Sequence, residues 1–352
     1  MEVQPGDFKT LATTAVQMVP TERLLSLVLP YNDYFGHAMT TGVSLMAQLL
    51  PLFRSYPNSS ILIPRRGALS TVLQLLMVPS TRIIVAQPDV LYWAHKATLL
   101  LRKEPFNIVT AHWAGRSVQE LRHTLIAQLF SHLQLPPPLA PELITPTNLT
   151  HRHDRHSNGT ISTASLVSAP AHTPRGQYVI FLSRPFGGQR SLNPKIQDEL
   201  LARLRAALAG TRYQLYIFGE SSPRGLGPND AKLDPTSHNA FLTTAQYFLQ
   251  AAAVIGVHGS AFGNTFLCPD DAVIVEVNII WRARRQEDSY TTAPAARDGI
   301  RATCHNAGQQ FYYNVYPQLP SGTLAASFYS DSNIKIRVDD VMAILQLHRI
   351  AA

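Results

Sequence analysis

Short apolar runs alternate along the chain with longer segments in which apolar residues recur every three or four positions. A short run rich in β-branched residues is typical of a strand buried on both faces, and the longer spacing is typical of an amphipathic helix. We predict strands at 24–29, 60–63, 82–86, 178–183, 213–218, 253–257 and 272–277. We predict helices at 37–53, 67–77, 115–135, 194–209, 243–252 and 338–347. Strands that alternate with helices in this way indicate an α/β protein with parallel, doubly wound sheets.

A polar tract divides these elements into two groups. The chain has 352 residues, which exceeds the usual size of a single core, so two domains are the default expectation. The tract is rich in Pro, Ser, Thr, Asn and His, a composition that cannot bury a core. We therefore predict a first domain at 20–145, a linker or insertion at 146–176, a second domain at 177–334 and a C-terminal helix at 335–352.

The stretch 251–278, AAAVIGVHGSAFGNTFLCPDDAVIVEVN, carries the most specific pattern in the chain. A buried strand ends at His258 and Gly259, Ser260 is placed to cap a short helix, and a second buried strand ends near Glu276. Open α/β sheets bind ligands beyond the carboxyl ends of their strands, and a helix N-terminus there favours an anion such as a diphosphate. No G-x-G-x-x-G fingerprint accompanies the strands, which argues against an NAD-type cofactor.

This stretch resembles the signature of family 61 of the glycosyltransferases, in which IG-x-HG is followed by a helix, a proline turn and VIE. The segment SRPFGGQRSLNP, which contains Arg184 and Arg190, is similar to another segment of that family. A weaker likeness covers the loop YNDYFGH, with Asp33 and His37, which precedes the first predicted helix. The acidic position that the family carries after this loop is Thr41 here.

The resemblance implies a GT-B-like fold, with two Rossmann-like doubly wound domains facing each other across a cleft. It implies an inverting, metal-independent transfer of xylose, arabinose or N-acetylglucosamine from a UDP-sugar to a hydroxyl of a glycan or glycoprotein. No cofactor is implied besides the donor, and the absence of a D-x-D triplet agrees with metal independence. The family works in the Golgi or the secretory-pathway lumen, whereas no membrane anchor is found in this chain.

The same resemblance assigns roles to particular residues. The first domain would hold the acceptor, with His37 near it as the catalytic base and Asp33 as the alternative. The second would hold the nucleotide, with Glu276 at the ribose. The residues assigned to the diphosphate are Arg184, Arg190, His258, Gly259 and Ser260.

The same residues also have simpler structural explanations, and alternative functions of the protein remain open. A histidine after a buried strand is usually satisfied by local backbone hydrogen bonds, and the two arginines would by spacing alone be solvated surface residues. Because Thr41 replaces the acidic residue, a catalytically inactive relative that binds glycans or acts as a scaffold remains open. A GT-B-like sugar-nucleotide epimerase is a further alternative.

Composition excludes little. The net charge is +7, which suits anionic partners or only solubility, and no basic run interleaved with aromatic residues supports nucleic-acid binding. Cys268 and Cys304 are not in a CxxC pair, so a structural zinc site is not indicated. The tract around His151, His153 and His156 is predicted to be a solvated polar segment rather than a metal site.

Overall fold

The computed structural model of the chain describes residues 15–18, 21–28, 39, 42–64, 67–87, 90–99, 115–135, 174–184, 190–219, 238–277, 280–281, 295–296, 304, 307–317 and 333–351. The strands are β1 (Ala15–Met18), β2 (Arg23–Ser26), β3 (Ser59–Ile63), β4 (Ile83–Val85), β5 (Val90–Trp93), β6 (Lys96–Leu99), β7 (Tyr178–Leu182), β8 (Gln214–Phe218), β9 (Ala251–Val257), β10 (Val273–Val277), β11 (Ile280–Trp281), β12 (Ala295–Ala296) and β13 (Phe311–Val315). The α-helices are α1 (Val43–Ser55), α2 (Ala68–Leu75), α3 (Gly115–His132), α4 (Pro194–Leu208), α5 (His238–Phe248) and α6 (Val338–Leu347), and two 3-10 helices span Ser80–Arg82 and Ser260–Leu267.

The first half of the chain builds a four-stranded sheet in the order β4-β3-β2-β6. All of its neighbouring strands run parallel. Strands β1 and β5 form a separate parallel pair. The parallel sheet predicted for this half is confirmed, because β3 is the buried apolar run SSILI and helices separate it from β2 and β4 along the chain.

The second half builds a five-stranded sheet in the order β13-β10-β9-β7-β8. Every neighbouring pair is parallel. The centre of the sheet is β9, the fully buried run AAAVIGV. The candidate residues were predicted at the ends of β7, β9 and β10. These three strands are therefore confirmed, and they run in the same direction.

The two faces of the five-stranded sheet pack against different helices, as a doubly wound sheet requires. Side chains alternate between the faces along each strand. Val179, Ile255 and Val275 pack in one cluster with residues of α4 and α6. Ile180, Val254 and Ile274 pack in the other cluster, which also contains residues of α5 and of the first half of the chain.

Helix α3 connects this second cluster to the first half, because it packs against α1, α2 and the 3-10 helix Ser260–Leu267. Arg122 of α3 is 1% exposed and donates hydrogen bonds to the carbonyls of Phe266, Cys268 and Ala307, and it pairs with Asp270. A continuous core thus includes residues of both halves. Whether the halves form two domains across a cleft stays a prediction.

Several boundaries differ from those predicted. The helix predicted at 243–252 is wrong at its end, because α5 stops at Phe248 and Ala251 and Ala252 belong to β9. Alanine favours helices in isolation, but pairing with β7 and β10 outweighs that preference in the middle of a sheet. Strand β13 was not predicted, although it completes the edge of the sheet next to β10.

Among the described residues, no helix is long and apolar enough to cross a membrane.

Candidate functional site

The carboxyl ends of β7, β9 and β10 meet at one edge of the five-stranded sheet, because these strands are parallel neighbours. Arg184 follows β7 by two residues, His258 follows β9 directly, and Glu276 is the penultimate residue of β10. The backbone N–H of His258 donates to the carbonyl of Val277 over 3.0 Å, which extends the β9–β10 pairing by one step. The edge predicted from the sequence therefore exists, and three of the predicted residues meet there.

The register of the sheet explains why His258 and Glu276 lie on the same face. Glu276 is aligned with Gly256 on β9 and with Asn314 on β13. His258 lies two positions after Gly256 and Tyr312 two positions before Asn314, so the period of two brings all their side chains to one face. This is the face that packs in the cluster shared with the first half of the chain.

The Glu276 carboxylate is held by two side chains. Its Oε1 atom is hydrogen-bonded to Nδ1 of His258, and its Oε2 atom accepts from the Tyr312 hydroxyl. Oδ1 of Asn314 lies 3.0 Å from the same hydroxyl. Glu276 is 0% exposed. A charged carboxylate in such a place needs hydrogen-bond partners on both oxygens, and here the protein supplies both.

His258 is almost completely buried. The side chain is 11% exposed, and the Nδ1 side of the ring faces Glu276. In the part of the chain that the structure describes, no hydrogen bond is found for the second ring nitrogen, Nε2. This nitrogen is thus available to a ligand at the edge of the sheet.

Arg184 lies across the backbone of Gly259. Its Nη2 donates to the carbonyl of His258 over 3.3 Å. A Cβ atom added at Gly259 would overlap Nη2 of Arg184 and would lie 2.7 Å from its Cζ. Glycine at this position therefore provides the space in which the guanidinium lies. The guanidinium of Arg184 thus lies at the backbone of His258 and Gly259, directly after the end of β9.

Two further glycines allow the chain around Arg184 to approach the neighbouring strands. A Cβ atom at Gly256 would lie 2.6 Å from Cβ of Leu182. Gly219, at the end of β8, has a φ of +133°, and a Cβ atom there would overlap the carbonyl oxygen of Ser183. Leu182 and Ser183 thus pack directly against the backbone of Gly256 and Gly219. This close packing positions the backbone of the next residue, Arg184.

The helix that follows differs in detail from the prediction. It is a 3-10 helix, and Gly259 rather than Ser260 occupies its N-cap position, without a side-chain hydrogen bond. The prediction that Ser260 caps the helix is therefore wrong, because the helix already begins at Ser260 and the residue before it is the extended Gly259. The backbone N–H groups at the start of this helix still lie directly after His258.

The remaining predicted residues are less fully placed. Arg190 is half-buried and has a left-handed backbone with a φ of 64°, and the next residue, Ser191, is paired with Ile334. His37, Asp33 and Thr41 lie outside the described residues, as does the histidine-rich tract. Their predicted roles stay predictions.

Sequence reasoning missed Tyr312 as a partner of Glu276. The run FYYNV is a signal for a strand, because aromatic and β-branched residues favour strands. Only the pairing with β10 shows that Tyr312 lies on the face of Glu276.

Two buried thiols lie near this site. Burial raises the pKa of the Cys304 thiol to about 12, and the Glu276 charge also raises it. Burial likewise raises the pKa of Cys268 well above its usual value. Both cysteines are free thiols. Within the described ranges, no group of three or more His, Cys, Asp or Glu side chains could hold a metal ion.

Comparison with known proteins adds little. No family profile matches the sequence, and no curated protein matches it. A structure of the dodecameric iron-containing heptosyltransferase TibC in complex with ADP-D-β-D-heptose is similar at 13% identity and a TM-score of 0.33, over 83% of this chain and 74% of that chain. A structure of the dodecameric glycosyltransferase TibC from enterotoxigenic E. coli is similar at 13% identity and a TM-score of 0.32, over the same shares of 83% and 74%.

TM-scores at this level do not indicate a shared fold, so the function is inferred from the site itself. The described elements define the class as α/β proteins with parallel, Rossmann-like sheets. Within that class, the feature of this chain is the edge where the Arg184 guanidinium lies over Gly259 and where His258 is hydrogen-bonded to Glu276.

Proposed function

We propose that this protein is an inverting glycosyltransferase that moves a sugar from a UDP-sugar to a hydroxyl group of a glycan or glycoprotein. The observation that carries the proposal is the position of the Arg184 guanidinium across Gly259 and beside His258, at the common edge of parallel strands. Such an edge is where α/β proteins bind nucleotides. The motifs that resemble family 61 of the glycosyltransferases contain these same residues.

The donor diphosphate would lie against Arg184, Nε2 of His258 and the first N–H groups of the helix Ser260–Leu267. An arginine can donate two parallel hydrogen bonds to phosphate oxygens, and backbone N–H groups at a helix start favour a negative charge. Arg190 is included in the proposal only because it belongs to the motif SRPFGGQRSLNP. The resemblance assigns Glu276 to the ribose, but its bonds to His258 and Tyr312 favour a supporting role.

In a single-displacement reaction, a base removes the acceptor proton while the leaving diphosphate gains charge. Arg184, His258 and the helix N–H groups would stabilise that charge without a metal, since preorganised donors act most strongly on charge that develops during the reaction. The base is proposed to be His37, with Asp33 as the alternative. The proposal includes a GT-B arrangement of two domains, and a site of action in the Golgi or the secretory-pathway lumen.

The first test is the binding of UDP, measured by isothermal titration calorimetry. We expect Arg184→Ala to raise the Kd for UDP by about tenfold or more, since hydrogen bonds between charged groups are the strong ones. The matched control is Arg205→Ala, which removes the same charge from the exposed surface of α4. Equal Kd values for wild type and Arg184→Ala would remove the basis of the proposal.

The second test separates the reaction from the alternatives. A panel of UDP-sugars is incubated with the protein, with and without mixed glycan and glycoprotein acceptors, and released UDP is measured. Acceptor-dependent release of UDP supports a transferase. Conversion of a donor without any acceptor would indicate an epimerase, and UDP binding without turnover would indicate an inactive relative, which Thr41 in the place of an acidic residue favours.

A further inference from the structure

We infer that Glu276 and Tyr312 are positioning residues for His258, and that they orient its Nε2 atom toward the donor diphosphate. The part that concerns the diphosphate depends on the proposed function. The part that concerns the orientation of the ring does not, because it follows from contacts within the protein.

The first step is the direction of the hydrogen bonds. A carboxylate only accepts, so the His258 nitrogen that faces Oε1 of Glu276 must carry a proton. That nitrogen is Nδ1, so the second ring nitrogen, Nε2, is left to face the ligand. The hydrogen bond that one ring nitrogen makes thus determines what the other can do.

The second step is the fixing of the carboxylate itself. A carboxylate held by one hydrogen bond can still rotate about its last bond. The Tyr312 hydroxyl donates to the second oxygen of Glu276, and Asn314 lies 3.0 Å from that hydroxyl, so both oxygens have fixed partners. The chain of contacts runs from β13 through β10 to the end of β9, and each member comes from a different strand of one sheet.

The third step is electrostatic. Glu276 is 0% exposed, so its charge is little screened by water and acts on the ring next to it. A phosphate oxygen, like a carboxylate oxygen, only accepts, so binding to it through Nε2 requires a proton on that nitrogen as well as on Nδ1. Among the described residues, the other charged or titratable groups near the ring are Arg184, at the His258 carbonyl, and the buried Cys304, on which the Glu276 charge acts.

The chain offers a matched control for Tyr312. Tyr313 is the next residue of β13 and lies on the opposite face, where its hydroxyl is hydrogen-bonded to Nε2 of His348 over 2.7 Å. Tyr312→Phe and Tyr313→Phe therefore each remove one hydroxyl group from the same strand. The first substitution breaks the hydrogen bond to Glu276, and the second breaks the hydrogen bond to His348. Only the first substitution touches Glu276.

The experiment uses the full chain with ¹⁵N-labelled histidine, and the His258 signals are assigned by their loss in His258→Gln. We expect a long-range ¹H–¹⁵N correlation to show a proton on Nδ1 of His258, shifted downfield by the carboxylate. Glu276→Gln and Tyr312→Phe should change these signals, and Tyr313→Phe should leave them as in the wild type. Thermal unfolding of each variant identifies any that do not fold, and Tyr312→Phe carries the test if Glu276→Gln is lost.

The same variants are then titrated with UDP. We expect Glu276→Gln to raise the Kd by about tenfold and Tyr312→Phe by about threefold, with Tyr313→Phe unchanged. His258 signals that do not respond to either Glu276→Gln or Tyr312→Phe would overturn the inference, whatever the affinity for UDP. Changed signals with an unchanged Kd would overturn the part that concerns the diphosphate, because His258 would then not contact the ligand. A wild type that binds no UDP would refute the proposed function instead, and the signals alone would decide the orientation of the ring.

Discussion

Gly259 has an extended backbone, with a φ of 172°, which any residue can adopt. Glycine is therefore not required here by backbone strain. It is required by Arg184, whose guanidinium lies where a Cβ atom would be. The residue pattern His-Gly-Ser thus has a physical reason at its middle position, namely the close approach of an arginine from the neighbouring strand.

Replacement of Gly259 by alanine is expected to displace Arg184 and to weaken UDP binding by about tenfold, the same effect that is expected for Arg184→Ala. Stability should change little, because the overlapping atoms are the end of a flexible side chain. The measurement is a double-mutant cycle by calorimetry. In the Arg184→Ala background, Gly259→Ala should cause no further loss. Losses that simply add would show that Gly259 acts independently of Arg184.

The location of Glu276 at the edge of the sheet could be predicted from the sequence, but its role could not. Its place near the end of a buried strand indicated a carboxylate at the edge of the sheet. The sequence contains no sign that His258 and Tyr312 would bind both of its oxygens. Those partners come from residues 18 and 36 positions away, so only the packed sheet brings them together.

At the scale of elements, local chemistry was most informative where a helix begins. The pair Asn193 and Pro194 predicted the start of α4, and Oδ1 of Asn193 accepts hydrogen bonds from the N–H groups of Lys195 and Ile196 at 3.0 and 3.4 Å. Asparagine at the N-cap and proline at the first position satisfy or remove N–H groups that would otherwise lack partners. Such signals need no distant residue.

Helix α3 shows the opposite case, since its most buried contact joins distant parts of the chain. Arg122 bonds to carbonyls at the end of the helix Ser260–Leu267 and to Ala307. In the sequence, Arg122 is a single basic residue between Leu121 and His123, and nothing nearby indicates that it is buried. Its burial follows from the packing of α3 against the second half of the chain.

Replacement of Arg122 by methionine is expected to lower the free energy of unfolding by about 3 kcal/mol, because several buried carbonyls and Asp270 lose their partner. The control is Arg116→Met on the same helix, where the side chain is 92% exposed and pairs with Glu120 at 3.5 Å. An exposed pair of that kind contributes about 0.5 kcal/mol or less. Urea unfolding compares the two, and similar losses would show that Arg122 does not join α3 to the second half.

For the whole molecule, burial of ionisable groups makes stability depend on alkaline pH. Burial raises the pKa of Cys304 from 9.0 to about 12 and that of Tyr313 from 10.0 to about 12. It also raises the pKa of Cys268 well above 9.0. The folded state therefore keeps protons that the unfolded state loses above about pH 9. The unfolded state gains from this loss, so stability falls as pH rises from about 9 toward 12.

We expect the free energy of unfolding in urea to be lower at pH 10 than at pH 8, with each buried thiol accounting for about 1 kcal/mol of the difference. Cys304→Ala should be less stable at both pH values, because it leaves a cavity, but the difference between pH 8 and pH 10 should be smaller than in the wild type. An equal difference in the variant and the wild type would mean that Cys304 does not stay protonated in the folded state.

The sequence by itself determined the class of fold and the main strands of the second sheet. Buried runs such as YVIFL and VIVEV are apolar on both faces, which only the interior of a parallel sheet accommodates. It also determined which residue types stand at the strand ends. These properties are local, because they depend on periodicity and composition over a few neighbouring residues.

The tertiary structure decided which of these residues touch. The alignment of Glu276 with Gly256 and Asn314 sets the face on which His258 and Tyr312 meet, and the space at Gly259 sets the place of Arg184. Register between parallel strands depends on the packing of the helices that connect them, and a shift by one residue would turn every side chain to the other face. Local sequence does not contain that information, which is why the partners of Glu276 emerge only from the folded sheet.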